Sequence, residues 1–175
     1  GVEKSYEEVL RGEKGYKMIG DESLDMGPFE MKFPKSSFCH EEKDIALVGI
    51  NSNLVKYDDS REGDQFAWLH EVLERNKDKV TLVFGHHPFF LKDIDEEDGY
   101  FQIQKSKRKI YFDLFSKYGV DVVYTGHLHD NSEGEYQGIP SKTTTSVSVQ
   151  LGDAQPSVRV ITIDDGVVTD ELVTL

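Results

Sequence analysis

Two stretches decide the fold: Val80-Thr81-Leu82-Val83-Phe84-Gly85-His86-His87-Pro88, and Val120-Asp121-Val122-Val123-Tyr124-Thr125-Gly126-His127-Leu128-His129-Asp130-Asn131. Each begins with a short apolar, β-branched run of the kind that forms a buried strand. Each then breaks at a glycine and delivers histidines, four of the six in the chain. Imidazoles just past the ends of two strands converge in the crevice where open α/β sheets bind ligands. His127 and His129 are two apart, so in an extended backbone their rings leave on the same side. Neutral imidazole is the commonest metal ligand near neutral pH. A single histidine here would read as a strand cap. Two clusters after two matching strands read as a metal-binding corner.

Working outward, Lys105 to Tyr118 joins the two stretches as a helix. Ser106 is its expected N-cap, Ile110, Leu114 and Tyr118 with Tyr111 and Phe115 its buried stripe, and Gly119 its C′ stop. Gln65 to Asn76 is a second amphipathic helix, with Phe66, Leu69 and Leu73 on one face, Trp68 and Val72 alongside, and Asp64 or Ser60 as N-cap. Trp68 reads as core, and His70, on the polar flank, has no assigned function. Ile45-Ala46-Leu47-Val48-Gly49-Ile50 has the composition of a central strand, ended by the polar Asn51-Ser52-Asn53. Phe29, Met31 and Phe33 alternate with Glu30 and Lys32 as a half-buried strand, expected to pair with 45–50 across a polar connection from Pro34 to Lys43.

Residues 1–28 read as a charged, loop-rich extension with a short helix at Ser5–Leu10 and an acidic loop at Gly20 to Asp25. Phe89-Phe90-Leu91 is apolar but exposed by position. The run Asp93-Ile94-Asp95-Glu96-Glu97-Asp98 holds five acids in six positions and reads as a solvated loop, with gating or selection of basic partners as the functional alternative. After Asn131 the pattern becomes β-like. Turns are expected at Glu133-Gly134 and Gly138-Ile139-Pro140, and a hairpin at Asp164-Asp165-Gly166 between the apolar runs 158–163 and 167–175.

A chain of 175 residues is one domain's worth. Its formal net charge of -13 argues against nucleic-acid and anionic-membrane partners, which need clustered Lys and Arg. It does not argue against an anionic substrate where a metal dominates the local field. Cys39 is the only cysteine, so no intramolecular disulfide forms, which points to a reducing compartment, the cytoplasm.

Gly85-His86-x-Pro88, a helix, then Gly126-His127-x-His129 resembles the second half of the calcineurin-like metallophosphoesterases. The run Phe90 to Phe101, Lys105-Ser106-x-Arg108-Lys109, Gln65-x-x-Trp68-Leu69 and the preceding Leu47-Val48-x-Ile50-Asn51-Ser52 are similar to a branch related to the purple acid phosphatases. The likeness runs from about Asp44 to the C-terminus.

It implies an α/β (α+β) fold, a portion of a four-layer α-β-β-α sandwich with mixed sheets, residues 1–175 being the C-terminal portion of one metallophosphoesterase domain. It implies that His86 and His127 bind the second metal of a two-metal site and His129 the first. His87, at the variable position, is not carried over. The family's first-half motifs, Asp-x-His, Gly-Asp-x-x-Asp and Gly-Asn-His-Asp/Glu, are absent.

The implied function is metal-dependent hydrolysis of phosphate monoesters, on phosphoproteins among other substrates. Two divalent ions (Mn, Fe, Zn or similar) serve the complete domain, and this chain alone holds one or none and has weak activity. Its implied partners are a phosphorylated substrate and a separately supplied N-terminal half. A mononuclear zinc hydrolase built on the same three histidines, and a non-catalytic module that binds basic partners through 93–98, are the competing readings.

Overall fold

The computed structural model describes residues 36–175. The helix expected at Ser5–Leu10, the acidic loop at 20–25 and the strand at 29–33 lie outside the described residues. A six-stranded mixed sheet forms the centre, built from β1 (Phe38–Glu42), β2 (Ile45–Gly49), β3 (Val80–Phe84), β4 (Val122–Thr125), β5 (Ser132–Tyr136) and β6 (Ile139–Thr143). Its order is β1-β2-β3-β4-β6-β5. β2, β3, β4 and β6 run parallel, and β1 and β5 are antiparallel edges. The α/β class expected from the sequence is the one observed.

Helices α1 (Ser52–Lys56) and α2 (Glu62–Asn76) connect β2 to β3, and α3 (Lys105–Lys117) connects β3 to β4. The carboxyl ends of β2, β3 and β4 therefore open on one edge, where Ser52, His86-His87 and His127 emerge.

One face of the sheet carries the main core. Val48, Val83 and Val123 from the strands meet Leu69, Val72 and Leu73 of α2 and Phe112 and Phe115 of α3, all at most 2 % exposed. The other face is thinner. Leu82, Val122 and Tyr124 are covered by Ile161, Ile163 and Val168 of a separate antiparallel hairpin, β7 (Ser157–Asp164) and β8 (Val167–Thr174). Asp165 and Gly166 close that hairpin with positive φ, as the Asp-Asp-Gly signal predicts.

Several local expectations are corrected. β2 is flanked by β1 and β3, and the partner expected for it at 29–33 lies outside the described residues. β1 occupies the stretch read as a polar connection. It is an exposed, charged edge strand, and such strands lack the alternation that marks half-buried ones.

Neither Ser60 nor Asp64 caps α2. Arg61 holds that position without a side-chain cap, while Asp59 accepts from its backbone N–H at 2.9 Å. Gln104, not Ser106, precedes α3, and the backbone N–H of Lys105 donates to Asp98 at 2.5 Å. A carboxylate drawn from the acidic loop thus sits on the positive end of the helix. Ile110 is 55 % exposed and leaves the expected stripe, whereas Arg108 is fully buried.

Phe89 and Phe90 are core rather than surface, with rings 5.6 and 5.0 Å from Phe112. Glu133-Gly134 lies inside β5. Its glycine serves close approach, since a Cβ there would stand 2.6 Å from the Lys92 carbonyl. The turn itself is Gln137-Gly138, both with positive φ.

Candidate metal centre

The loop after β3 is held by one hydroxyl. Ser52, the first residue of α1, is 1 % exposed, and its Oγ accepts the backbone N–H of His86 at 3.0 Å and of His87 at 2.9 Å. The same oxygen lies 3.1 Å from His87 Nδ1. His87 is 2 % exposed, with its ring 4.2 Å from that of His127. Beyond Pro88 the chain folds back on α3. Arg108 donates to the carbonyls of Ile103 (2.8 Å), Ile94 (3.3 Å) and Glu96 (2.6 Å). The Glu96 carboxylate accepts the backbone N–H groups of Leu91, Lys92 and Asp93.

The acids of 93–98 are therefore largely committed within the chain. Asp95 pairs with Lys109, Glu97 with Lys105 and Asp98 with Arg108. Asp93, Asp95, Glu97 and Asp98 remain exposed, as the solvated-loop reading expects, and the ion pairs tie that loop to α3.

The loop after β4 is built differently. The Gly-His-x-His run is not extended. His127 and His129 have φ of 62° and 55°, and Leu128 N–H donates to the Gly126 carbonyl at 2.7 Å. For L-residues this left-handed region costs roughly 1–2 kcal/mol each. The loop is anchored by Gly126 N–H on the His86 carbonyl (3.0 Å) and by the His129 carbonyl accepting from Leu151 N–H (3.1 Å).

Of the histidines named from the sequence, His86 and His127 meet, with His127 Nδ1 3.0 Å from His86 Nε2. His87 joins them, each ring offering a nitrogen within 4.8 Å of the others. His129 is not in that group, and its Nδ1 is buried without a hydrogen-bond partner among the described residues, as is Nε2 of His127.

Burial, followed by the positive charge that His86, Lys56 and His129 can carry, pushes the His127 pKa down to about 4. Burial, then His127, His86 and Lys56, takes His87 to about 3. Burial and His129 also lower His86. These rings are neutral at neutral pH, the state in which imidazole binds metal.

Two nitrogens bound to one ion at roughly 2.0–2.1 Å stand about 3 Å apart, so the His86–His127 pair has the spacing of two ligands of one ion. The orphaned, buried nitrogens of His127 and His129 fit the same chemistry. A divalent metal is thus compatible with the donors present.

Spacing gave no sign of three further neighbours. Lys56 donates to the carbonyls of Gly99 and Gln102, fixing the loop that carries Tyr100 and Phe101. Both of those rings lie 5.8 Å from His127. Each is more than 25 residues distant in sequence from His127, and only the fold brings them together.

A model of the calcineurin-like phosphoesterases matches residues 6–131. The chain belongs to that family. The match begins well before Asp44, where the sequence resemblance had started. The chain is 35 % identical over 125 residues to the serine/threonine-protein phosphatase CPPED1 of Rattus norvegicus, covering 67 % of this chain and 40 % of that one. It is 30 % identical over 158 residues to the Danio rerio protein of the same name, covering 81 % and 50 %. The chain thus spans half or less of the length of these curated relatives. Among solved structures, GAP50, the anchor in the inner membrane complex of Plasmodium, superposes with a TM-score of 0.57 at 15 % identity, over 79 % of this chain and 49 % of that one. That likeness concerns the fold alone. No helix of the described residues is long and apolar enough to cross a membrane.

Proposed function

We propose that this chain is the C-terminal portion of a metallophosphoesterase domain and carries the second half of a dinuclear site that hydrolyses phosphate monoesters. His86 and His127 hold one divalent ion and His129 contributes to the other. The observation that carries this reading is the 3.0 Å approach of His86 Nε2 and His127 Nδ1 at the convergent ends of β3 and β4, in a chain of this family. Relatives named as serine/threonine-protein phosphatases support a phosphorylated protein as the substrate. When bound, a pair of divalent ions neutralises charge on the phosphoryl group and supplies a hydroxide nucleophile near neutral pH.

The chain's own residues hold the two imidazoles neutral and oriented. Tyr100 and Phe101 pack beside the half-buried His127 ring, and Lys56 places positive charge near the cluster. Among the described residues no carboxylate joins the histidine cluster. Asp95, Glu97 and Asp98 pair with α3, and this reading takes a separately supplied N-terminal half bearing acidic ligands as the partner of the site. The single cysteine is in keeping with a cytoplasmic location.

Metal titration with manganese, iron or zinc, followed by phosphatase assay, tests the reading. The chain alone is expected to bind no more than one ion tightly and to turn over p-nitrophenyl phosphate weakly. Two tightly bound ions with robust turnover by these 175 residues would overturn the half-site.

A further inference from the structure

His87 stands in the cluster without a role in the reading above. Its neighbour Ser52 supplies one. A serine hydroxyl has two lone pairs and one proton. Ser52 Oγ accepts two backbone N–H groups, from His86 at 3.0 Å and His87 at 2.9 Å, which engages both lone pairs. Its proton therefore goes to the remaining neighbour, His87 Nδ1 at 3.1 Å. Nδ1 must then be the bare, accepting nitrogen, and the ring proton sits on Nε2.

Two consequences follow from that tautomer. Nε2 carries a proton, so it has no lone pair to offer a metal. A second proton on Nδ1 would face the Ser52 O–H, so the ring stays neutral. Among the described residues nothing accepts from Nε2–H, although the ring is 2 % exposed and packed 4.2 Å from His127. Nε2 of His87 is not one of the sealed nitrogens of the cluster, which belong to His127 and His129, so its N–H can reach an acceptor from outside the chain.

We propose that His87, set by Ser52 in its Nε2–H form, is a substrate-binding hydrogen-bond donor to a phosphoryl oxygen and is not a metal ligand. Ser52 is its positioning residue. The inference rests on the phosphoesterase reading for the identity of the acceptor, while the tautomer rests on the hydrogen bonds alone. On this reading the three clustered histidines would not make a three-ligand zinc site: His87 offers no lone pair, and the pair at ligand spacing is His86 Nε2 with His127 Nδ1.

Long-range ¹⁵N–¹H spectra of the full chain, apo, zinc-loaded, and zinc-loaded with inorganic phosphate, test each part separately. The expected result is an Nε2–H signature for His87 that survives zinc, while His86 and His127 shift to metal-bound positions. Phosphate is then expected to move the His87 Nε2–H resonance. In His87→Phe, which keeps a buried ring but no donor, zinc uptake is expected to persist and phosphate to bind about 10- to 100-fold more weakly, the loss of one hydrogen bond to a charged group. Should His87→Phe fail to fold, His87→Gln, which retains an N–H, is expected to keep phosphate binding within a few-fold of the parent chain.

An Nδ1–H signature, or a His87 resonance that shifts to a metal-bound position with zinc, overturns the proposal. So does a His87 signal indifferent to phosphate. If instead His86 and His127 ignore zinc while His87 keeps its Nε2–H form, the half-site fails and the Ser52-fixed tautomer stands.

Discussion

The loops that follow β3 and β4 both deliver histidines, yet they are built on opposite terms. The β3 loop is satisfied from within. Ser52 holds its first amides, Glu96 and Arg108 hold its middle, and Phe89 and Phe90 anchor it in the core. The β4 loop is strained and incomplete. Two of its residues sit in the left-handed region, and two of its imidazole nitrogens are buried without partners among the described residues. Strain and orphaned polar atoms persist where function requires them. On the proposed reading, the first loop is a scaffold that presents His86, and the second carries the nitrogens offered to a ligand.

If that contrast is right, substitutions in the two loops move stability in opposite directions. The largest effect is expected from Arg108→Ala. It removes a fully buried guanidinium from three carbonyls and Asp98, and should cost about 3–5 kcal/mol, read as a lower urea midpoint. Phe90→Ala follows closely, at about 3–4 kcal/mol for a buried aromatic. A loss below 1 kcal/mol in either would show that the β3 loop is not the scaffold.

In the β4 loop, His129→Gly should raise the stability of the metal-free chain by about 1–2 kcal/mol, because glycine adopts positive φ without strain and an orphaned nitrogen is removed. A destabilised His129→Gly chain would contradict the strained-loop reading. His127→Gly is expected to be near neutral, since relief of strain is offset by loss of packing with Tyr100, Phe101 and His87.

The smallest effect lies away from both loops. Burial would raise the Asp170 pKa, but hydrogen bonds from Lys142, Arg159 and Tyr124 outweigh it and hold the carboxyl below its ordinary value. Asp59, bonded by Arg61, is held at about 2. Both folded values are depressed, so the stability they contribute is complete above the unfolded aspartate pKa of about 3.9 and is lost as pH falls through the folded values. Acid unfolding should therefore steepen between about pH 4 and 2, and Asp59→Asn should flatten part of that step.

How much of this was legible beforehand depended on the range over which each signal acts. Strand 80–84, the strand expected at 120–124 and found at 122–125, both long helices and the Asp-Asp-Gly hairpin followed from local periodicity and turn chemistry. The exposed edge β1, whose residues pair mainly by backbone, left no alternation to read. Phe89 and Phe90 were placed on the surface because their burial depends on α3, more than 15 residues later. At the site, His86 and His127 were visible as strand-end histidines. The extended geometry assumed for His127 and His129 failed because the strand stops at Thr125. Lys56, Tyr100 and the Ser52–His87 bond reach the site only through tertiary folding, which no spacing rule encodes.

Metal binding to the parent chain and to His127→Ala, measured by mass spectrometry after loading with zinc or manganese, tests the central claim most directly. The account predicts one ion held by the parent chain and its loss in His127→Ala, with the circular dichroism spectrum unchanged. Equal metal uptake by both chains would place the ion elsewhere and contradict the pairing of His86 with His127.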